Sequence, residues 1–219
     1  MIKVNTTTLE ATREELPKFL KGLKQESLMD LSWTDPALGV SEVAWWPEVN
    51  TDEPIDANTH KYGSELLVAN TEDEVVEVSR EVLPLSAEEV EALLKQYAGQ
   101  KISEVIALHQ QHLYSDVEVT FPTGPATIQF RNDTDRTNLS NVAAGAMACI
   151  IAGTPEALMT YRTKDDVINK VPAAETMQIA MEVLGVKQAV VDNAWKHKDA
   201  IRAIIDIQAV IDYDVTTGW

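Results

Sequence analysis

Two histidines at helical spacing come closest to forming a metal site in this sequence. His109 and His112 lie three positions apart in a segment with helical periodicity, and residues at that spacing are neighbours on one helix face. A catalytic zinc ion needs three protein ligands, and no cysteine or third histidine supports this pair. We therefore expect two solvent-exposed helix histidines and no metal site.

Carboxylates occur in adjacent groups that could suggest acid–base catalysis. The groups are Glu88/Glu89, Asp165/Asp166 and Glu72/Asp73/Glu74. Catalysis by paired carboxylates needs two groups in different environments within one cleft. These groups instead fall in turns and at helix starts, where Asp and Glu are favoured locally. We expect them to be solvated surface residues.

Other chemical motifs are incomplete. Asn132-Asp-Thr-Asp135 has the acidic character of a calcium loop, but Thr137 stands where that loop needs glycine and Ala143 where it needs the closing glutamate. No nucleophile elbow, dinucleotide fingerprint or phosphate loop occurs. The sequence therefore predicts no catalytic, cofactor-binding or metal-binding residues and no enzyme activity.

Three tryptophans could serve either a sugar site or packing. Aromatic faces often stack on sugars, and Trp45, Trp46 and Trp195 are the candidates. Burial in a core or an interface is the alternative that we favour, because an indole buries a large apolar area. The single cysteine, Cys149, cannot form an internal disulfide, and we expect a small buried core residue there.

Charge and hydropathy exclude two classes of partner. The 219-residue chain has a formal net charge of −17, and an acidic surface repels phosphate backbones, so we expect no nucleic-acid binding. No apolar signal run follows Met1, and no window approaches the roughly 18 apolar residues that a membrane span needs. We expect a soluble protein made in a reducing compartment, with no membrane partner.

The overall prediction is an α+β fold that begins with a small antiparallel β module containing one helix, at 1–85. Capping-box patterns at Thr7–Glu10 and Thr12–Glu15 precede a short helical face that ends near Gln25. Alternating or extended segments then predict strands. The segments are 40–46, 62–69 and 74–83.

A bridging helix is predicted over 86–115. Ser86 to Glu89 form a third capping box, and apolar residues follow at helical spacing. Gly99 lies between the two halves of this periodicity. Glycine costs about 1 kcal/mol relative to alanine inside a helix, so we expect a kink or break at that point.

The segment 116–203 predicts a domain of β-hairpins packed with two helices. Turn residues separate short alternating segments, Gly153 ends an alanine-rich helix, and Pro172 opens the last helix. The predicted strands are 116–121, 127–131, 158–162 and 167–171, and the alanine-rich helix is about 135–152.

The last helix carries apolar residues that can form one long stripe. They are Met177, Ala180, Met181, Leu184, Val191, Trp195 and Ile201. We take this stripe to be the buried face of the helix. Trp195 is therefore predicted to be buried against the hairpins at 117–131 and 158–171.

The chain beyond Ala200 predicts a docking element. Apolar residues continue at helical spacing, and an extended tail, Asp214–Trp219, ends in a tryptophan. The residues are Ile201, Ile204, Ile205, Val210 and Ile211. With no domain left to pack on, 204–219 is expected to be a docking tail for another copy or a partner. The alternative is that it folds back onto the N-terminal module.

Several of these motifs, in this order, resemble an uncharacterised domain family of tailed-phage tail, tail-fibre and tail-fibre-assembly proteins. The resemblance covers 117–203. The matching features are the strand Ile128–Arg131, the helix entry Asp133–Arg136, the alanine-rich helix, Tyr161 before a polar turn, and the helix end Trp195–Ala200. Asp165–Asp166 stands where the family has Asp-Asn or Asp-Gly. The family supplies no catalytic residues.

The resemblance implies a non-enzymatic structural or adaptor protein of a tailed-phage virion. Its implied partners are other phage tail or fibre proteins and further copies of itself in a homo-oligomer, for which a trimer is one option. It would be made in host cytoplasm and reside in the virion tail. Two alternatives stay open: a tail-fibre assembly chaperone that is absent from the mature particle, and a glycan-binding module. Purified virions would discriminate a component from a departing chaperone.

Overall fold

The computed structural model describes residues 1–219, which form two compact units, Met1–Val90 and Glu91–Trp219. The fold class is α+β, as the sequence predicts. The second unit contains most of the predicted bridging helix together with the predicted domain at 116–203 and the predicted tail at 204–219. None of the helices combines the length and the apolar character needed to cross a membrane.

The first unit begins with a three-stranded antiparallel sheet. Its central strand is β1 (Ile2–Asn5), which pairs with β2 (Ala11–Thr12) on one side and β3 (Val43–Trp46) on the other. Ile2 and Val4 are completely buried and alternate with half-buried residues. This alternation gives the sheet one dry face and one wetter face.

A second three-stranded sheet completes the strands of the first unit. Its order is β4 (Glu48–Asn50), β6 (Val75–Pro84), β5 (His60–Asn70). The long β5–β6 pair is antiparallel, as predicted, whereas β4 runs parallel to β6. A parallel pair needs a crossover connection, and β5, with its flanking loops, supplies that connection between β4 and β6.

The predicted N-terminal helix is wrong. Thr7 to Glu10 lie in the turn region between β1 and β2, where the side-chain oxygen of Asn5 accepts hydrogen bonds from the amides of Thr7 and Thr8 at 2.9 and 2.8 Å. A short 3₁₀ helix, Lys18–Leu20, and a one-turn helix, α1 (Gln25–Met29), replace the expected longer helix. Gly22, with φ +100°, lies between them, and this left-handed conformation interrupts helical geometry.

The capping box at the start of the bridging helix is confirmed. Helix α2 (Ala87–Leu113) begins after Ser86, whose amide donates to Glu89 at 2.8 Å while the Glu89 amide donates to the Ser86 hydroxyl at 3.3 Å. The predicted break at Gly99 is absent, since α2 is continuous. The Ser103 hydroxyl donates to the carbonyl of Gly99 at 2.9 Å, and intrahelical packing outweighs the modest cost of one glycine.

Two β-hairpins and three helices follow α2 in the second unit. They are β7 (Val117–Phe121), β8 (Gly124–Ile128), α3 (Asp133–Ile151), β9 (Leu158–Arg162), β10 (Ile168–Pro172), α4 (Ala173–Ala203) and α5 (Ile207–Ile211). The Asn132 side chain caps α3 by accepting from the amides of Thr134 and Asp135. Gly153 ends the helix with φ +78°, as the sequence predicts.

The hairpins and α4 enclose one hydrophobic core. On β7, Val117, Val119 and Phe121 are buried and alternate with exposed residues. They contact a shared set of apolar side chains from the other elements. This set includes Ile128, Phe130, Tyr161, Val171, Ile179 and Val183. Phe121 and Tyr161 meet edge to face with ring centroids 5.8 Å apart, a favourable geometry for aromatic pairs.

The predicted burial of Trp195 is wrong, because its side chain is 59% exposed. The buried face of α4 shares only Ala180 and Ile201 with the predicted stripe. Its residues are Ala173, Thr176, Ile179, Ala180, Val183, Val190, Ala194, His197 and Ile201. At about 100° per residue, this face is centred roughly 120° around the helix from the other five residues of the predicted stripe. Helix α4 thus has two apolar faces, and periodicity alone does not say which one the fold buries.

The C-terminal segment packs within its own chain, so the premise of the predicted docking tail is wrong. Val210 and Val215 are buried, and Val215 joins Ile201 and Ala194 of α4 and Val105 of α2 in one cluster. The residues after α5 are not an extended tail. Trp219 closes the cluster, and its indole nitrogen donates to the carbonyl of Val215 at 2.7 Å.

The contribution of Trp219 packing to stability can be measured by truncating its side chain. Trp219→Ala removes a partly buried ring from the α2–α4 cluster. We expect it to lower the free energy of unfolding by about 2–3 kcal/mol, below the 3–5 typical of fully buried aromatics. Ile205→Ala is the control, since Ile205 is 88% exposed and should change stability by less than about 0.5 kcal/mol. Equal midpoints for the two variants in urea unfolding would contradict the packing described.

The capping box at Glu89 predicts that the stability of the fold depends on pH. Hydrogen bonds from Lys61 and then Ser86 lower the pKa of Glu89 from 4.5 to about 2. Because the pKa is lower in the folded state, the ionised carboxylate stabilises the fold above pH 4.5, and this stabilisation disappears as pH falls through about 2. Glu89→Gln keeps an acceptor for the Ser86 amide but removes the charge that faces Lys61.

The stability difference between wild type and Glu89→Gln should therefore be constant above pH 4.5 and shrink toward zero near pH 2. Urea unfolding at a series of pH values measures it. A difference that stays constant across this acidic range would show that the carboxylate charge contributes nothing to folding.

Candidate functional site

The histidine pair is part of the packing of α2 and is not simply solvent-exposed, which corrects the expectation from the sequence. The ring of His112 stacks on Trp219 with centroids 5.3 Å apart and planes 9° apart. His109 is half-buried, its Nε2 is buried without a hydrogen-bond partner, and burial lowers its pKa, assisted by Lys198 and Arg136. No group of three His, Cys, Asp or Glu side chains is placed to hold a metal ion.

The carboxylate groups lie in local ion pairs and turns. Glu89 pairs with Lys61 at 2.6 Å beside the start of α2, and Asp166 pairs with Arg162 at 2.7 Å in the β9–β10 turn. The amide of Asp73 donates to the Asn70 side chain in the β5–β6 turn. These contacts are those of exposed turn and cap residues, for which the ion pairs contribute little to stability.

The tryptophans separate into two environments. Trp45 and Trp46 on β3 are buried and have no face to offer a sugar, whereas Trp195 on α4 is exposed. Cys149, expected in the core, is only partly buried on α3. Trp195 is therefore the one member of the predicted trio that can contact another molecule.

A polar depression of about 380 Å³ lies beside α3 and the β9–β10 hairpin. Arg131 and Arg162 line it, but each is already paired with the aspartate four residues on, at 3.0 and 2.7 Å. Tyr161 also lines it, yet its hydroxyl is buried without a partner and burial raises its pKa to about 12. Because its cations are locally neutralised, this depression offers no free charge to recognise an anion.

The aromatic rings near the C-terminus are held in place by stacking and hydrogen bonds. Trp219 lies between the rings of His112 and His197, with the His197 centroid 5.7 Å away. Nε2 of the buried His197 is 2.9 Å from the carbonyl of Thr217, so this nitrogen carries the proton and donates. Nδ1 then accepts from the Tyr213 hydroxyl at 2.9 Å. Because both ring nitrogens are hydrogen-bonded to residues of the C-terminal segment, His197 anchors that segment to α4.

Exposed apolar side chains concentrate at one end of α3 and on the hairpin that follows it. We call Ile151, Leu158 and Ile168 the hairpin patch; they are 79%, 62% and 61% exposed. Leu158 is paired with Pro172, and Ile168 with Arg162, in the β9–β10 register. Directly paired residues and alternate residues of a strand share one face of a hairpin. Leu158 and Ile168 therefore both lie on the outward face, near its two ends, with Thr160 and Lys170 between them.

A second set of side chains, partly or largely exposed, runs along α4. We call Met177, Met181, Leu184, Gln188, Val191 and Trp195 the α4 stripe. Successive members are four or three residues apart, so at about 100° per residue they fall within an arc of roughly 80°. Met181, Leu184 and Trp195 are 59%, 58% and 59% exposed, and no member of the stripe is charged. This is the second apolar face of α4.

An apolar groove of about 280 Å³ runs beside the α4 stripe. Leu139 and Ala143 of α3 form one wall, and Met177, Met181 and Leu184 of α4 form the other. The stripe and the groove are therefore continuous at the N-terminal half of α4. Such adjoining exposed apolar surfaces are typical of protein-binding sites.

Residues 96–217 match the family model described as a domain of unknown function (DUF4376). The match covers more than half of the 219 residues, and the chain therefore belongs to this family. It starts inside α2 and ends at Thr217, so the family domain includes most of the C-terminal segment, which lies beyond the resemblance at 117–203. Neither a curated protein nor a solved structure matches the chain.

Sequence reasoning identified most members of the α4 stripe but assigned them to the core. The available signal was the presence of a second periodic set, Thr176, Ile179, Val183 and Val190, at the same three- and four-residue spacing. This signal was weak because Thr176 is polar and the neighbouring Ala180 and Ala194 are small. The fold nevertheless buries this face, since small residues suit close packing, and leaves the long side chains of the α4 stripe on the surface.

Which face of α4 is buried, that is, the phase of the helix, can be tested by one substitution on each face. Ile179→Ala removes a buried side chain and should cost about 2–5 kcal/mol of unfolding free energy. Leu184→Ala removes an exposed side chain of the α4 stripe and should cost less than about 1 kcal/mol in the dilute protein. Urea unfolding at low protein concentration provides both values. A larger loss for Leu184→Ala would mean that the assigned helix phase is wrong.

Proposed function

We propose that this protein is a non-enzymatic structural or adaptor protein of a tailed-phage virion, attached to the tail or tail fibres through protein–protein contacts. The observation that carries the proposal is the hairpin patch. Ile151, Leu158 and Ile168 are each more than 60% exposed, although they are large apolar side chains of an acidic protein. Exposed apolar surface of this kind favours burial against a partner.

The hairpin geometry supports protein docking in a second way. Strands β9 and β10 form a sheet of only two strands, so each has one edge without a strand partner. An edge strand presents backbone donors and acceptors to which another chain can add a strand. Apolar side chains on the outward face, together with an open edge, would give a partner both burial and backbone hydrogen bonds.

The assignment to a phage tail is supported by the resemblance of 117–203 to tailed-phage tail, tail-fibre and tail-fibre-assembly proteins. The strand, turn and helix order that carries this resemblance corresponds to β8, α3, the β9–β10 hairpin and α4. An adaptor role requires that the protein remain in the particle. Its partners would be other tail or fibre proteins, and its location the virion tail.

Particle incorporation tests this proposal. Mass spectrometry of purified virions of the phage that encodes the protein should detect it, and its absence would reject the adaptor role in favour of a departing chaperone. The double variant Leu158→Glu/Ile168→Glu places two charges on the hairpin patch and should lower incorporation by about tenfold or more, equivalent to at least 1.4 kcal/mol of binding.

The control for this measurement is Ile205→Glu, which adds a charge at an exposed position outside the hairpin patch. It should be incorporated at the wild-type level. Circular dichroism establishes that each variant is folded. If the folded double variant entered particles as well as the control, docking through the hairpin patch would be excluded.

A further inference from the structure

Helix α4 has a second apolar face that its own chain leaves uncovered. The buried face, which includes Ile179, Val183 and Ile201, contacts the rest of the second unit. The α4 stripe lies roughly 120° away around the helix and contains three large side chains that are more than half exposed. Folding of the single chain therefore does not account for the apolar character of the stripe.

The spacing of the α4 stripe is that of a helix–helix seam. From Met177 to Trp195 the steps are four, three, four, three and four residues, a repeat of seven over almost three heptads. An average of 3.5 residues per step keeps a seam facing another helix along its length. None of the six positions is charged in a chain of which 24% is charged. The occupant that this pattern fits is an α-helix with a matching seam.

We propose that two copies of this chain pair through their α4 stripes, with the two helices antiparallel. In an antiparallel seam, alternate positions of one helix face the complementary positions of the other. The register that uses all six residues pairs Met177 with Trp195, Met181 with Val191, and Leu184 with Gln188 of the second copy. The contact is isologous, so each pair occurs twice around a twofold axis.

The groove explains how the large indole is accommodated. In this register Trp195 of each copy faces Met177 of the other, and Met177 lines the apolar groove between α3 and α4. The indole would lie between Met177 and Leu139 of the second copy. Each chain thus carries both a protruding aromatic and the apolar groove that receives it, which makes the surface self-complementary. An indole in an apolar pocket is typical of the residues that dominate binding energy.

The helix dipoles favour the antiparallel orientation. Antiparallel pairing places the positive N-terminal end of one α4 helix beside the negative C-terminal end of the other, whereas parallel pairing would bring like ends together. This pairing is independent of the hairpin patch and goes beyond the proposed role in a particle.

Sedimentation equilibrium from about 1 to about 100 μM, a range that brackets typical micromolar dissociation constants, tests the pairing. The wild type should approach twice the 24.2 kDa mass of one chain. Met181→Glu and Leu184→Glu should each stay at the mass of one chain throughout. Val186→Glu is the matched control, because Val186 is exposed on α4 outside the stripe, and it should behave like the wild type.

Two results would overturn the pairing. One is a wild type that stays at 24.2 kDa over the whole range, since a second copy would then not be the occupant. The other is a folded Met181→Glu or Leu184→Glu variant that associates as strongly as Val186→Glu. Circular dichroism and urea unfolding show whether each variant is folded, and these exposed positions should tolerate the substitutions.

Cross-linking tests the orientation. Gln178→Cys and Asp192→Cys, each made with Cys149→Ser, place single thiols beside the stripe near its two ends. With a short bismaleimide, a mixture of the two variants should give cross-linked dimers in higher yield than either variant alone. Greater cross-linking of each variant with itself would show a parallel pair and overturn the antiparallel arrangement.

Discussion

Burial of one face of α4 is the constraint on which the second unit depends. The N-terminal half of that face, with Ile179 and Val183, closes the core of the two hairpins. The C-terminal half, with Ala194 and Ile201, closes the cluster formed with α2 and the C-terminal segment. A single helix therefore supplies one wall to two cores, and loss of its packing would expose both. Lys187, between the halves, donates to the carbonyls of His112 and Ser115 and ties the end of α2 to α4.

This constraint explains the arrangement of the surfaces available to other molecules. The buried face of α4 consists largely of alanine, valine and isoleucine. The long or bulky side chains Met181, Leu184 and Trp195 lie on the other face. The hairpin patch is separate, on the outward side of β9 and β10. We propose that the first surface pairs two copies and that the second attaches them to a partner.

Local signals in the sequence predicted the elements whose geometry depends on near neighbours. Ser86 and Glu89 started α2, Gly153 ended α3, and the strand Leu158–Arg162 was located to the residue. The same reasoning failed near Thr7, where a capping-box pattern belongs to the turn between β1 and β2. Asn5 stabilises that turn with its side chain, and the pairing of β1 with β3, almost forty residues away, outweighs local helix propensity.

The candidate surfaces were less predictable because they depend on which of two apolar faces the tertiary fold buries. Trp195 and the buried Ala194 are adjacent in the sequence, and hydrophobicity alone ranks the tryptophan as the core residue. The C-terminal segment was likewise assigned to a partner because nothing local shows that α2 and α4 present a site for Val215 and Trp219. In both cases the deciding contacts join residues far apart in the sequence.

Hydroxyl-radical footprinting of the intact protein at several concentrations tests most directly the claim that α4 has one face buried by folding and another buried by association. Oxidation of Met181 and Trp195 should fall as concentration rises, whereas Ile179 and Val183 should be protected at every concentration. Strong protection of Met181 and Trp195 in the most dilute sample, or equal oxidation of both at all concentrations, would contradict the account.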